Sequence, residues 1–231
     1  MIQAIQLTKR YNDHTALHSL NLTIEKGEVF CLLGQNGAGK TTTLNLFLGF
    51  TLPTSGQALV NGLDVVHNSR KTRRHLAYIP EVVMLYPNLS AIENLDFFSR
   101  IAGFNYDRPR LEELLTKAGL QQSAFYQRIG GHSKGMRQKV GIAIALAKNA
   151  DVLLMDEPTS GLDPKATAEF TALVQQLGKE GKVVIMATHD IFNAVEIGTR
   201  IGIMRRGELV YQMPTAGLEA ADVQQLYLES I

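Results

Sequence analysis

Residues Gly34-Gln35-Asn36-Gly37-Ala38-Gly39-Lys40-Thr41 fit the pattern G-x-x-x-x-G-K-[ST]. They follow an apolar run, Val29–Leu33, and precede a stretch, Lys40–Phe50, whose composition predicts a helix. The chemistry of this arrangement is phosphate binding. Glycines at 34, 37 and 39 let backbone N–H groups wrap a phosphate, and the helix N-terminus adds partial positive charge. Lys40 is placed to reach the β- and γ-phosphates of a nucleotide, with Asn36, Ala38 and Thr42 on the same loop and helix start. The Thr41 hydroxyl suits a Mg²⁺ ligand.

A second group of reactive residues ends another apolar run. Val152-Leu153-Leu154-Met155 delivers Asp156 and Glu157. Carboxylates at the C-terminal end of a buried strand lie where α/β sheets bind ligands. Asp156 is expected in the Mg²⁺ shell, and Glu157, one residue on, is expected to polarise or deprotonate an attacking water. His189 follows a third run, Val183–Thr188. A neutral imidazole there could hydrogen-bond the γ-phosphate or the water. Taken alone, a histidine at a strand end is more often simply solvated.

These groups need elements to hold them. Short β-branched runs predict strands at Ile5–Leu7, Leu20–Ile24, Val29–Leu33, Ala58–Val60, Leu76–Ile79, Val152–Met155, Val183–Ala187, Ile201–Met204 and Leu209–Tyr211. Three of these are apolar almost without interruption, as in a parallel sheet covered by helices on both faces. From Ser90 to Ala150 helical spacing takes over, with Ile92, Leu95, Phe98 and Ile101, then Leu111, Leu114, Leu115 and Ala118, then a helix starting near Ser133. Ala221–Ile231 reads as a short amphipathic helix. The expected organisation is one discontinuous α/β core, 1–86 and 151–231, with a helical subdomain inserted at 87–150.

Composition bounds the rest. The 231 residues suit one domain with an insertion. The 23 Lys+Arg against 22 Asp+Glu leave a formal charge of +1, which argues against general nucleic-acid or anionic-membrane binding. Cys31 is the only cysteine, so neither an intrachain disulfide nor a cysteine-based zinc site can form, and a reducing compartment is expected. The first residues lack the apolar core of a signal peptide, and no apolar run approaches the roughly 20 residues that span a bilayer. Any membrane role is therefore expected to come through a partner.

The phosphate loop, Ser133-Lys134-Gly135-Met136-Arg137-Gln138, the run Leu154-Met155-Asp156-Glu157-Pro158-Thr159-Ser160-Gly161-Leu162-Asp163-Pro164, and Thr188-His189-Asp190 together resemble the ATP-binding cassette (ABC) ATPase family in order and spacing. The resemblance implies an α/β fold: a P-loop NTPase core with a mainly parallel sheet, an N-terminal antiparallel β portion and an inserted helical subdomain. It implies ATP and Mg²⁺ as ligands, held between two cassettes packed head to tail, the second being a copy of this chain or a paralogue. By the same resemblance Tyr11 stacks on adenine, Ser133 and Gly135 donate to the γ-phosphate across the dimer, and Asp163 couples the two sites at the interface. Glu157 and His189 become the catalytic pair.

Two departures stand out. The family's Leu-Ser-Gly-Gly-Gln is here His132-Ser133-Lys134-Gly135-Met136, so His132 replaces an apolar residue. Lys134 either strengthens the phosphate contact or projects into solvent. The family's usual Gln before the helical subdomain is here Glu81, in Tyr78-Ile79-Pro80-Glu81, which could still approach Mg²⁺. Both departures resemble a branch serving compact bacterial export or membrane-remodelling systems. The expected function is the ATP-hydrolysing subunit of an exporter, peripheral on the cytoplasmic face of the plasma membrane and driving an integral permease subunit. The alternative is an ABC ATPase powering a regulatory or assembly step at a membrane complex. A nucleic-acid-handling ABC ATPase or a small P-loop kinase fits less well: the former usually carries paired cassettes or long insertions, and the latter needs neither the Ser133 segment nor the Asp163 turn.

Overall fold

The computed structural model describes residues 1–230. The last residue of the expected tail helix, Ile231, lies outside the described residues. The chain folds into two sheets and a set of helices. Strands β1 (Ile2–Tyr11) and β2 (His14–Ile24) form a hairpin, and β4 (Ser55–Val60) pairs antiparallel with β1 and with the two-residue β5 (Leu63–Asp64). The second sheet contains β3 (Val29–Gly34), β6 (Leu76–Ile79), β7 (Val152–Asp156), β8 (Val183–Thr188), β9 (Arg200–Arg205) and β10 (Glu208–Pro214), in the order β10-β9-β3-β8-β7-β6. Its pairings are parallel except for the β9–β10 hairpin.

The apolar runs are explained by burial on both faces. Along β3, Val29, Cys31 and Leu33 enter one core, while Phe30 and Leu32 enter the other. Leu153 and Met155 of β7 join the first core, and Val152 and Leu154 join the second. Side chains alternate with a period of two, so a strand sandwiched between two cores must be apolar at every position. The second core is closed by the antiparallel sheet and by helix α1 (Lys40–Leu48). Gly49, at φ 67°, ends α1 two residues before the expected Phe50. Cys31 is fully buried, and burial drives its thiol pKa far upward.

Between β6 and β7 the chain is helical. α3 (Ala91–Ile101) starts at a capping box in which Ser90 and Glu93 satisfy each other's backbone N–H groups. α4 (Arg108–Lys117) is capped by Asp107, and α5 (Lys134–Ala147) by Ser133, whose hydroxyl accepts from the Met136 N–H at 3.2 Å. Three further helices carry no signal read from the sequence: α2 (Ser69–His75), which precedes β6, α6 (Pro164–Lys179), which follows the carboxylate strand and is capped by Asp163, and α7 (Ile191–Ile197). α7 and α8 (Ala220–Ser230) pack at the far end of the chain.

Candidate functional site

The loop between β3 and α1 is shaped by glycine where nothing else fits. Gly39 sits at φ 107°, and a Cβ there would lie 2.6 Å from the Ala16 carbonyl oxygen. Gly34 is equally confined, since a Cβ would meet the Met204 carbonyl oxygen at 2.7 Å. Ala38 is buried behind the loop, its carbonyl accepting from the Gly207 N–H at 2.9 Å. Gln35, Asn36 and Gly37 form the exposed rim.

Lys40 is 5% exposed, yet its ammonium is well satisfied. It donates to the carbonyls of Gly34 at 2.5 Å and Gln35 at 3.3 Å, and it stands 3.7 Å from Glu157 Oε1. Burial lowers its pKa, while the charges of Glu157 and Asp156 oppose that shift. Thr41 Oγ1 donates to Asp156 Oδ2 at 3.0 Å. Burial raises the Asp156 pKa; the Thr41 hydrogen bond and Lys40 pull it down, and Glu157 and Glu81 push it up.

Glu157 adopts φ 45°, an unusual backbone for a non-glycine residue. Its N–H is tied to the Ala187 carbonyl of β8 at 2.8 Å, which holds the turn. The side chain lies between two bases, with Lys40 on Oε1 and His189 Nδ1 at 3.0 Å from Oε2. Strain of this kind costs about 1–3 kcal/mol and persists only where surrounding structure enforces it. Here β8 enforces it from below. The turn after Glu157 is anchored by Gln138 Nε2, donating to the Pro158 carbonyl at 2.8 Å, and by Asn193 Nδ2, donating to Thr159 Oγ1 at 3.1 Å. Ser160 Oγ then donates to Glu81 Oε1 at 3.0 Å.

The result is one cleft of about 430 Å³ lined by Tyr11, Asn36, Gly37, Gly39, Lys40, Thr41, Thr42, Glu81, Asp156 and Glu157, together with His14, Ala16 and Gln35. This volume lies within the usual range for small-molecule sites. Tyr11 is half-exposed at the end of the β1–β2 hairpin, with Lys9 Nζ 4.6 Å from its ring centre. His14 and Gln35 were not singled out by sequence. His14 could have been, because it is paired directly with Tyr11 across the hairpin.

Ser133, Gly135 and Asp163 are not in this cleft. They line a second one of about 580 Å³, which runs between α5, α6 and the turn after α4. Gly135 packs tightly there, since a Cβ would lie 3.2 Å from Ala166 Cβ. His132 is buried, and both ring nitrogens lack a hydrogen bond.

The cleft holds oxygen ligands suited to Mg²⁺, which commonly takes one or two protein oxygens and completes its shell with phosphate and water. The adjacent Thr41 hydroxyl and Asp156 carboxylate fit that demand. Among the described residues, no group of three or more His, Cys, Asp or Glu could hold a metal without a ligand's help.

The family model for the ABC transporter matches residues 17–160, more than half of the chain. The probable multidrug ABC transporter ATP-binding protein YbhF of Escherichia coli (strain K12) is 37% identical over 215 residues, covering 91% of this chain and 36% of that protein. This chain thus spans about a third of that relative's length. The bacitracin transport ATP-binding protein BcrA of Bacillus licheniformis is 36% identical over 215 residues, covering 93% of this chain and 70% of BcrA. Among solved structures, a dimeric post-hydrolysis state of an ATP-binding cassette bound to ADP and Pi superposes with a TM-score of 0.82 at 30% identity, covering 94% of this chain and 100% of that one. A family match of this extent, on a fold shared with a dimeric cassette, makes the assignment plain: the chain belongs to the ABC transporter family and is one of its ATP-hydrolysing cassettes.

Proposed function

We propose that this cassette is the ATPase subunit of an exporter, working in a head-to-tail pair around two ATP and driving a separate integral membrane permease subunit. The observation that carries the pairing is the separation of the two clefts. Lys40, Thr41, Asp156 and Glu157 line one, and Ser133, Gly135 and Asp163 line the other. Groups that must meet on the same phosphate therefore come from different protomers. The names of the relatives, multidrug and bacitracin transport, support export. No helix among the described residues is long and apolar enough to cross a membrane, which is consistent with a peripheral ATPase on the cytoplasmic face.

In this reading Tyr11 stacks on the adenine, and the 34–42 loop takes the phosphates. Lys40 exchanges its carbonyl partners for β- and γ-phosphate oxygens, which compete well because they are charged. Thr41 and Asp156 would hold Mg²⁺, with Glu81 near enough to contribute were it released from Ser160. The ion, when bound, neutralises charge on the terminal phosphates. Glu157 accepts a proton from water as the water oxygen bonds to the γ-phosphorus and the bond to the β–γ bridging oxygen breaks. His189, on the other carboxylate oxygen, orients Glu157. Ser133 and Gly135 of the second protomer donate to the γ-phosphate, and Asp163 links the two sites. Core 1–86 and 151–231 and helical segment 87–150 act as the two bodies that bring these groups together.

Glu157→Gln tests the assignment. Loss of a general base costs about 10²–10⁴-fold in rate. The variant should bind ATP, lose turnover to that extent, and elute as an ATP-trapped dimer in gel filtration. Turnover within a few-fold of the parent would remove Glu157 from this role.

A further inference from the structure

The near-neutral total charge hides a local concentration. Helix α2 reads Ser69-Arg70-Lys71-Thr72-Arg73-Arg74-His75. Thr72 is fully buried, while Arg70, Lys71, Arg73 and Arg74 are all exposed. None of the four side chains makes a hydrogen bond or ion pair within the described residues. The acids at the two ends of the helix are already engaged: Asp64 with His67 at 2.9 Å, and Asp151 with His75 at 2.7 Å. At 3.6 residues per turn the four cations fan over about 160° of the helix, opposite Thr72. Arg70 with Arg73, Arg70 with Arg74 and Lys71 with Arg74 are like-charge neighbours at i,i+3 or i,i+4, an arrangement that weakens a helix. The repulsion has no internal compensation.

We propose that the outer face of α2 docks on anionic phospholipid headgroups, giving the cassette a membrane contact of its own beside any made through a partner. Two observations favour a lipid layer over an acidic protein segment. The face is the convex side of a helix, and no α2 residue lines any of the three described clefts, so nothing there would fix the register of a peptide. Four exposed cations on a convex face instead match a laterally mobile array of phosphates. The placement is also compatible with turnover. α2 runs directly into Leu76, which pairs with Val152 at the start of β7, whereas Asp156 and Glu157 lie at the end of that strand. Docking through α2 leaves the nucleotide cleft clear.

This inference rests on the membrane placement proposed above, and its test separates the two. The purified full chain is co-sedimented with vesicles of phosphatidylcholine alone or with 30 mol%, a typical proportion, of phosphatidylglycerol (~0.3 mole fraction). Each basic residue near an anionic surface strengthens binding about fivefold. The anionic vesicles should bind the parent chain, and Arg73→Ser with Arg74→Ser should lower the partition coefficient about 25-fold. High salt should abolish the binding. Unchanged ATP binding would show that the variant is folded; if it is not, Arg70→Ser with Lys71→Ser must give a comparable loss. Equal binding to both vesicle types, no binding, or no loss in a folded variant overturns the proposal. Such a failure would leave ATP turnover and partner-mediated placement untouched.

Discussion

Replacing His132 by leucine should make the protein more stable, by an amount that grows in acid. His132 is 3% exposed, and neither ring nitrogen has a hydrogen bond. An unsatisfied buried polar group costs about 1–3 kcal/mol. His132→Leu removes that cost, keeps a similar volume and adds apolar burial. In a chain of this size each kcal/mol raises Tm by about 2–4 °C. Burial also lowers the ring's pKa below its ordinary 6.5, with Arg137 acting in the same direction. The Ala124 and Gln127 carbonyls oppose this by favouring the charged ring, though neither closes a hydrogen bond. As pH falls below 6.5, the unfolded chain takes up a proton that the folded chain resists. The unfolded state then binds more protons, so stability contributed by the neutral ring is present above its ordinary pKa and is lost below it. The leucine variant has no such loss. Thermal melts at about pH 8 and about pH 5.5 should therefore show a positive Tm difference at both and a larger one in acid. A less stable variant, or a difference independent of pH, would refute the reasoning.

Lys40→Ala should weaken ATP binding on the order of 10–100-fold, the range for losing a charged hydrogen-bond partner, as read by calorimetry. Unchanged affinity would show that the loop does not grip the terminal phosphates. Ser133→Arg should block hydrolysis while leaving binding to the Lys40 loop intact. Mixing it with Lys40→Ala subunits should restore part of the activity, because one composite site then has both groups; turnover by a strictly monomeric preparation, linear in protein concentration on dilution, would exclude the paired mechanism.

The parts of this architecture that were legible in the sequence share one property: contiguity. The 34–41 loop, the 156–157 pair and the Ser133 cap each lie within one short segment whose strand or helix is announced by its own apolar pattern. β1 was legible only in part. It runs from Ile2 to Tyr11, whereas the apolar pattern marked only Ile5–Leu7; register shifts along the strand and the positive φ of Gln6 break the regular alternation. α2 was invisible because six of its seven residues are polar and not fully buried, so no stripe marks it. On α3, Ile92 and Leu95 are buried as their spacing predicts, but Ile101 is 68% exposed: nine residues after Ile92, it falls on the opposite face of the helix, while Ser99 in the same turn stays buried. The Glu81–Ser160 hydrogen bond joins residues 79 apart in sequence, and no motif connects them. It is a product of the sheet order, in which β6 and β7 are neighbours.

The lone thiol offers something else. Cys31 lies on an inner strand, paired on one side with Met186 and on the other with Ile201, with no exposed surface. Only a thiolate reacts readily with alkylating reagents, and burial here suppresses its formation. The native chain should thus be silent to maleimides. Modification of Cys31 would time the rare openings that separate β3 from its neighbours, making it an internal clock for the inner sheet. That silence also leaves the surface free for engineered chemistry. With one cysteine introduced on the rim of each cleft, those two would be the reactive sulfurs of the protomer, so a disulfide between protomers could be assigned to that pair of positions without altering the native residue.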